Sequence, residues 1–411
     1  MKRWMKWVLG WFVGLCLAAL LFVAAVLQML RAQPGEWSQP LRVGPWQTEL
    51  SIPTLLRMAS HPFVLRLLEN HTLRTPHGPL TLRAGAHEGI WLVNCEPCLL
   101  RVADANGDAV RIAKLQFSLQ RSGQNDPHGE FVLGVGPRAL HGQWQAHIAA
   151  NGAELKFKLP DAPLADAFAL FEAEIPELRQ ARIEGRIRIA ATLRLPSREL
   201  GIKPQIEGFA VSGLGTESLL NAEPACPGHK PGRGFGAWLP RAVIAAEDQR
   251  FHEHTGYDLA EITAALSDPQ GSRGASTLSQ QLAKLLFAGD SRSHLRKLRE
   301  LLYAVELDRT LGKARVLNLY LALAPWGDGQ CGAHAAARHY LHKRVDALSA
   351  TEAAWLASLL HNPDREIAQI ARTGQPNTDR VGWVIGNLRP LNKARREALL
   401  DDLASWSPKL Y

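Results

Sequence analysis

The sequence predicts a membrane-anchored multidomain protein: an N-terminal transmembrane helix, a β-rich middle domain and a mainly α-helical domain beyond it. Three observations predict it. Residues 7–30 are predominantly apolar and carry no charged side chain, residues from about 83 to 214 repeatedly alternate apolar with polar, and residues beyond 235 repeat their apolar side chains at three- and four-residue spacing. With 411 residues, 46% hydrophobic and 21% charged, the chain has room for two or three domains and a globular rather than disordered composition. The formal net charge of +8 favours an anionic partner, but nucleic acid, acidic headgroups and diphosphates satisfy it equally, so charge alone selects none.

Residues 7–30 contain no ionisable side chain except Cys16. At about 1.5 Å per residue such a run crosses roughly 30 Å of hydrocarbon. Lys2, Arg3 and Lys6 lie in the short tail 1–6 before it, which predicts a cytoplasmic N-terminus and an exported remainder. The apolar core is longer than that of a signal peptide, and no small-residue cleavage spacing follows Leu30. The expected topology is therefore a single membrane span, with residues 31–74 as a membrane-proximal segment.

Of five cysteines, Cys16 lies in the span and Cys95, Cys98, Cys226 and Cys331 lie outside, where an oxidising compartment permits three pairings. Cys95 and Cys98 have the spacing of a redox pair or half a zinc site, yet no second ligand pair accompanies them. A small disulfide is the preferred reading, leaving Cys226 and Cys331 to pair.

The β-rich module is expected over 75–220. Residues 182–195 put Ile183, Ile187, Ile189, Leu193 and Leu195 on one face and Arg182, Glu184, Arg186, Arg188 and Arg194 on the other, which is a half-buried strand. Similar alternation occurs at 115–119, 142–148 and 154–159, and a helix is expected near 164–174, ahead of Pro176. A Pro/Gly-rich linker at 221–234 leads into a helical domain at 235–370 and a helical tail at 371–411. Helices are predicted over 276–286, 295–311 and 314–322. Another opens with the capping box Ser349-Ala350-Thr351-Glu352 and closes at Asn362-Pro363.

Glu247 and Asp248 end the apolar run 242–246 and are followed by Phe251, His254 and Gly256. A carboxylate at the end of a buried helix is partly desolvated, which raises its pKa toward that of a useful general base. Taken alone, the same residue is better explained as a helix-end carboxylate paired with Arg250. Downstream, Gly274, Ser276, Thr277, Gln280 and Gln281 sit at a helix start, where free N–H groups favour phosphate, although Ser276 would also serve simply as an N-cap. Lys284, Arg292, Arg296 and Lys297 form a cationic cluster suited to a diphosphate or to a solvated helix face. Glu300 stands at i+4 from Arg296 and i+3 from Lys297, the spacing of an ordinary helical salt bridge.

Taken in order, these segments resemble the peptidoglycan glycosyltransferases of family 51, found in monofunctional transglycosylases and class A penicillin-binding proteins. Residues 247–256 look like E-D-x-x-F-x-x-H-x-G, 274–281 like G-x-S-T-x-x-Q-Q, and 296–300 like R-K-x-x-E; 316–321, 326–329 and 335–340 resemble later family segments. The resemblance covers about residues 235–365. It implies a lysozyme-like helical fold and polymerisation of lipid II into β-1,4-linked glycan strands, with inversion and release of polyprenyl diphosphate. Glu247 would be the general base and Glu300 the second acidic residue, assisting at the diphosphate or at a divalent cation (Mg or Mn) bound to it. Asp248, Phe251, His254, Ser276, Thr277, Gln280, Gln281, Lys284, Arg292, Arg296 and Lys297 would form the substrate site. The implied partners are lipid II, the growing glycan strand and the bacterial inner membrane, which is then the membrane spanned, with other envelope proteins on the β-rich module; neither an organic cofactor nor nucleic acid is expected.

Asn318, Ala322 and His342 depart from the family pattern, and no S-x-x-K, S-x-N or K-T-G set accompanies it, so no transpeptidase domain is expected. Two rival readings are a glycan hydrolase using two carboxylates and a catalytically impaired scaffold whose β-rich module binds lipid or another envelope protein. The cation cluster has no purpose in a hydrolase.

Overall fold

The apolar run forms one helix, α1 (Lys2–Met29), in the computed structural model, which describes residues 2–43, 46–100, 110–223, 226–227, 234–266, 268, 274–289 and 294–408. Its stretch Trp11–Met29 has a mean hydropathy of 2.5 over 19 residues and none of it is buried in the protein. That length gives roughly 28 Å of apolar cylinder, close to the thickness of a bilayer core. The chain divides into two compact units, the first built from residues within 1–100, 111–162 and 187–205, the second from residues within 163–186 and 206–411.

After α1 come a hairpin of β1 (Ser38–Val43) and β2 (Trp46–Ser51), then α2 (Ile52–Ala59) and α3 (Pro62–Leu68). The next strands are β3 (Thr72–Thr75), β4 (Gly78–Ala84), β5 (Trp91–Cys95), β6 (Cys98–Leu100), β7 (Val110–Ile112), β8 (Leu115–Arg121), β9 (Pro127–Leu133), β10 (Leu140–Ala149) and β11 (Gly152–Pro163). A short helix α4 (Leu164–Ala169) precedes the long strands β12 (Arg182–Leu195) and β13 (Glu199–Ser212). Nine strands form one sheet in the order β13-β12-β11-β10-β9-β8-β5-β4-β3, while β6 pairs with β7. Every stretch with period-two alternation is in this sheet. Antiparallel register places Phe117 opposite Phe131 and Trp144 opposite Phe157, and ring centroids lie 6.0–6.3 Å apart for Phe117–Trp144, Phe117–Phe131 and Phe131–Phe157. Gly142 is required beside them, because a Cβ there would collide with the Phe131 ring.

The first unit departs from expectation at its start, where strands appear in the segment read as membrane-proximal. β1 to β3 are only 4–6 residues long, too short for alternation to register. Cys95 and Cys98 form a disulfide that closes the turn between β5 and β6.

The second unit opens on α4, which is shorter than the expected 164–174 helix. The backbone turns after Leu170 and sends Ile175, fully buried, into the interior, with its N–H bonded to Phe171 O at 2.9 Å. Its helices are α5 (Leu239–Glu247), α6 (Leu259–Leu266), α7 (Leu278–Ala283), α8 (His294–Leu323), α9 (Ala333–Leu341), α10 (Ala350–Ser358), α11 (Pro363–Thr373), α12 (Thr378–Asn387) and α13 (Lys393–Ser405). α8 merges the two helices expected at 295–311 and 314–322 across a kink at Gly312, whose φ of 73° is outside helical geometry.

All nine residues of α10 are buried, which is the signature of a central helix. Ser349 and Glu352 close the predicted capping box, and four alanines let α5 and α12 approach closely while Trp355 and Leu356 fill the core. Burying each of those two side chains stabilises the unit by about 1.5–3 kcal/mol. The helix gives way to a 3-10 turn at Leu359–His361 and ends before Asn362-Pro363 as expected, and Pro363 then opens α11, where its missing N–H costs nothing. Cys226 and Cys331, 105 residues apart, form the second disulfide.

Candidate active site

α5 fixes the position of the first acid. It buries Leu239, Ala242, Val243, Ala245 and Ala246, and its last helical residue is Glu247, because Asp248 leaves helical geometry at φ −158°. The Glu247 side chain is 12% exposed. Its Oε2 accepts a hydrogen bond from Gln281 Nε2 at 2.9 Å, while Oε1 lies 3.8 Å from Arg380 Nη2 and has no hydrogen-bond partner. Burial raises the Glu247 pKa and the neighbouring Asp248 charge adds to this, whereas the Gln281 bond and Arg380 pull it back. The Gln281 amide is itself oriented, since Tyr320 donates to its Oε1 at 2.7 Å and leaves Nε2 to face Glu247. Burial and the Glu247 charge hold the Tyr320 phenol well above its usual pKa, so it stays a donor.

The Glu247–Arg250 pair considered from sequence does not form. Arg250 instead donates to Glu253 at 3.0 Å and to Asp258 at 3.1 Å.

Five of the expected substrate-site residues build the scaffold beneath Glu247. Asp248, 8% exposed, accepts from the Leu278 N–H at the start of α7 at 2.9 Å and lies 2.9 Å from His254 Nε2. Phe251 is fully buried with Lys313 Nζ 4.4 Å from its ring centroid, and Lys313 in turn pairs with Asp308 at 2.5 Å. Thr277 is the N-cap of α7 and forms a capping box with Gln280; its hydroxyl donates to Gly256 O at 2.6 Å. The helix therefore starts after Thr277, and Ser276 is not its cap, contrary to one sequence reading. A Thr-x-x-Gln pattern at 277–280 was the signal for this.

Released from capping, Ser276 accepts from Lys297 Nζ at 2.5 Å. Lys297 also donates to Glu300 Oε2 at 2.8 Å, and Arg296 donates to Glu300 Oε1 at 2.7 Å. Glu300 is 2% exposed, while the Lys297 side chain is 46% exposed. One carboxylate thus holds two cations, and one of them keeps access to solvent. Lys284 begins a single π turn, Lys284–Ala288, directly after α7. Arg292 lies outside the described residues.

One stretch joins the two acidic centres: Ser276 reaches the Glu300 cluster and Gln281, five residues on, reaches Glu247. Their Cα atoms are at most about 18 Å apart even if that stretch were fully extended. Together the stretch presents a desolvated carboxylate and an anchored pair of cations.

Residues 232–388 match the family model described as Transglycosylase. This domain belongs to that family. The transglycosylase domain is 45% identical over 158 residues to a "Biosynthetic peptidoglycan transglycosylase" of Salmonella heidelberg (strain SL476) and to one of Citrobacter koseri, and 44% identical to one of Klebsiella oxytoca. The match covers 38% of this chain and 64% of each relative's length.

The transglycosylase domain extends beyond the boundary expected at 370, and this explains a residue that sequence reasoning missed. α12 packs Val381, Val384 and Ile385, all fully buried, into the core. From it Arg380 donates to Ala246 O at 3.1 Å and stands beside Glu247. Tyr320 was also missed as a site residue. Of the departures from the family pattern, Asn318 and His342 are exposed and Ala322 is half-buried, and His342 takes the left-handed C-cap of α9 at φ 51°, a position that favours glycine.

Proposed function

We propose that the chain is a peptidoglycan glycosyltransferase that polymerises lipid II into β-1,4-linked glycan strands. In this reading α1 anchors it once in the bacterial inner membrane, with the N-terminus cytoplasmic and the transglycosylase domain periplasmic. The observation that carries the proposal is the presence, within one transglycosylase domain, of a buried Glu247 of raised pKa and of two cations held by Glu300, of which Lys297 reaches solvent.

Glu247 takes the proton from the 4-hydroxyl of the acceptor sugar, and that oxygen attacks the anomeric carbon of the donor. The new C–O bond forms on the face opposite the departing diphosphate, so an α-linked donor gives a β-linked product. Charge accumulating on the diphosphate is met by Lys297, with Arg296, Ser276, Lys284 and Arg292 in supporting roles. Glu300 positions Lys297 and Arg296. Gln281 favours the ionised base between turnovers, while Asp248, His254, Phe251, Thr277 and Gln280 keep its surroundings rigid.

Both oxygens of Glu300 are occupied by cationic side chains, and no group of three or more His, Cys, Asp or Glu suited to a metal occurs among the described residues. These residues do not fit a resident ion, and no step above depends on one. A magnesium or manganese ion would arrive on the substrate diphosphate.

The test is to give detergent-solubilised protein labelled lipid II, with and without divalent cation, and to size the products before and after muramidase digestion. Muramidase-sensitive polymer is expected; unchanged lipid II in every condition would refute the proposal.

A further inference from the structure

α2 and α3 carry an apolar surface that the first unit does not use. Leu65 of α3 is 5% exposed and packs with Leu82 and Trp91 of the sheet, with Leu68 beside it. Two residues to either side, on the opposite face of the helix, Phe63 is 66% and Leu67 61% exposed; Leu56 and Met58 of α2 are 38% and 37% exposed. A helix apolar on both faces is suited to burial on both. Phe63 and Leu67, one turn apart on α3, share one exposed apolar face.

The backbone says what covers it. The N–H of Ser51, the N-cap of α2, donates to Leu30 O at 2.7 Å, and the N–H of Ala32 donates to Glu49 O at 2.9 Å. Arg31 bridges Leu50 in the same antiparallel sense. α2 therefore starts one hydrogen bond from the residue that follows α1, where the apolar anchor ends. α2 is only about 12 Å long and α3 follows after a two-residue turn, so the patch stays near that exit point. Arg66, exposed on α3, adds a cation at the level where acidic headgroups lie.

We propose that the α2–α3 pair lies in the headgroup region of the membrane, with Phe63 and Leu67 entering its apolar edge. The inference rests on the reading of α1 as a membrane anchor. It gives the first unit a second membrane contact, which restricts how that unit tilts about the end of α1.

The experiment uses the full chain with Cys16→Ala, both disulfides intact, and single cysteines placed by Phe63→Cys, Leu67→Cys, Leu21→Cys or Val135→Cys and labelled with an environment-sensitive fluorophore. Each is reconstituted in phosphatidylethanolamine/phosphatidylglycerol vesicles containing lipids with shallow or deep spin-label quenchers. Labels at 63 and 67 should be blue-shifted and quenched most by the shallow quencher, the label at 21 by the deep one, and the label at 135 by neither. Labels at 63 and 67 that behave like 135 while 21 is quenched would overturn this inference and leave the anchor standing. A blue shift at 63 and 67 without lipid quenching would mean that protein, such as a second copy, covers the patch, and would also overturn it. Absence of quenching at 21 would remove the anchor and this inference with it.

Discussion

Replacing Gln281 with Met should move the acid limb of the pH–rate profile to higher pH. Gln281 Nε2 donates to Glu247 Oε2 at 2.9 Å, and this bond lowers a pKa that burial and Asp248 raise. A hydrogen bond to a charged group is worth about 1.5–3 kcal/mol, and about 1.4 kcal/mol is a tenfold change, so its loss should raise the Glu247 pKa further. The base must be ionised to act, so the rate falls as pH drops through the raised pKa. Initial rates of lipid II polymerisation should then drop about 10–100-fold on the acid side and recover on the alkaline plateau. Met fills similar volume but leaves the Tyr320 hydroxyl without its acceptor, which costs about 1–3 kcal/mol of stability. Thermal unfolding of the same preparation separates that cost from the pH effect. A folded variant whose acid limb coincides with that of the wild type would refute the assignment of Glu247 as the titrating base.

Glu300→Gln should destabilise the transglycosylase domain by about 1–3 kcal/mol in denaturant titration, below the usual cost of breaking a buried pair because Lys297 is 46% exposed, and it should slow polymerisation at saturating lipid II. Gly256→Ala should cost more than about 2 kcal/mol, since φ is +83° and a Cβ would lie 2.5 Å from Ala304 O; an unchanged melting temperature would contradict the packing described. Cys331→Ser opens a bond spanning 105 residues and should lower stability by about 2–5 kcal/mol, whereas Cys98→Ser, spanning 3, should have a much smaller effect on the melting curve. Glu247→Gln should be at least as stable as the wild type at neutral pH. The folded pKa of Glu247 is raised, so its favourable contribution is complete below the unfolded value and is lost as pH rises through the folded one. A neutral amide escapes that loss, and calorimetry at acid and neutral pH measures the difference.

Sequence periodicity located the elements whose pattern is long. The 14-residue strand β12 alternates over its whole length, and the helices on either side of Gly312 were separable because glycine interrupts their apolar spacing. Short strands such as β3, with 4 residues, were not legible, since so few residues cannot establish a period. In the site, local order carried Glu247, Ser276, Gln281 and the 296–300 cluster, because each lies in a recognisable pattern. Arg380 was invisible for a physical reason: it is 133 residues from Glu247 in the chain, as 380 minus 247 gives, and only the packing of α12 brings them together. Thr277 as the cap was legible from Thr-x-x-Gln at 277–280, whereas Ser276 as a contact of Lys297 was not, since the two lie 21 residues apart in the chain.

The central claim is that Glu247 removes the acceptor proton. It is tested most directly by comparing wild-type and Glu247→Gln proteins, matched for fold by circular dichroism, for muramidase-sensitive glycan formed from labelled lipid II. The wild type should make polymer and the variant should lose about 100-fold or more in rate, the usual contribution of a general base. Equal glycan output from both would contradict the account.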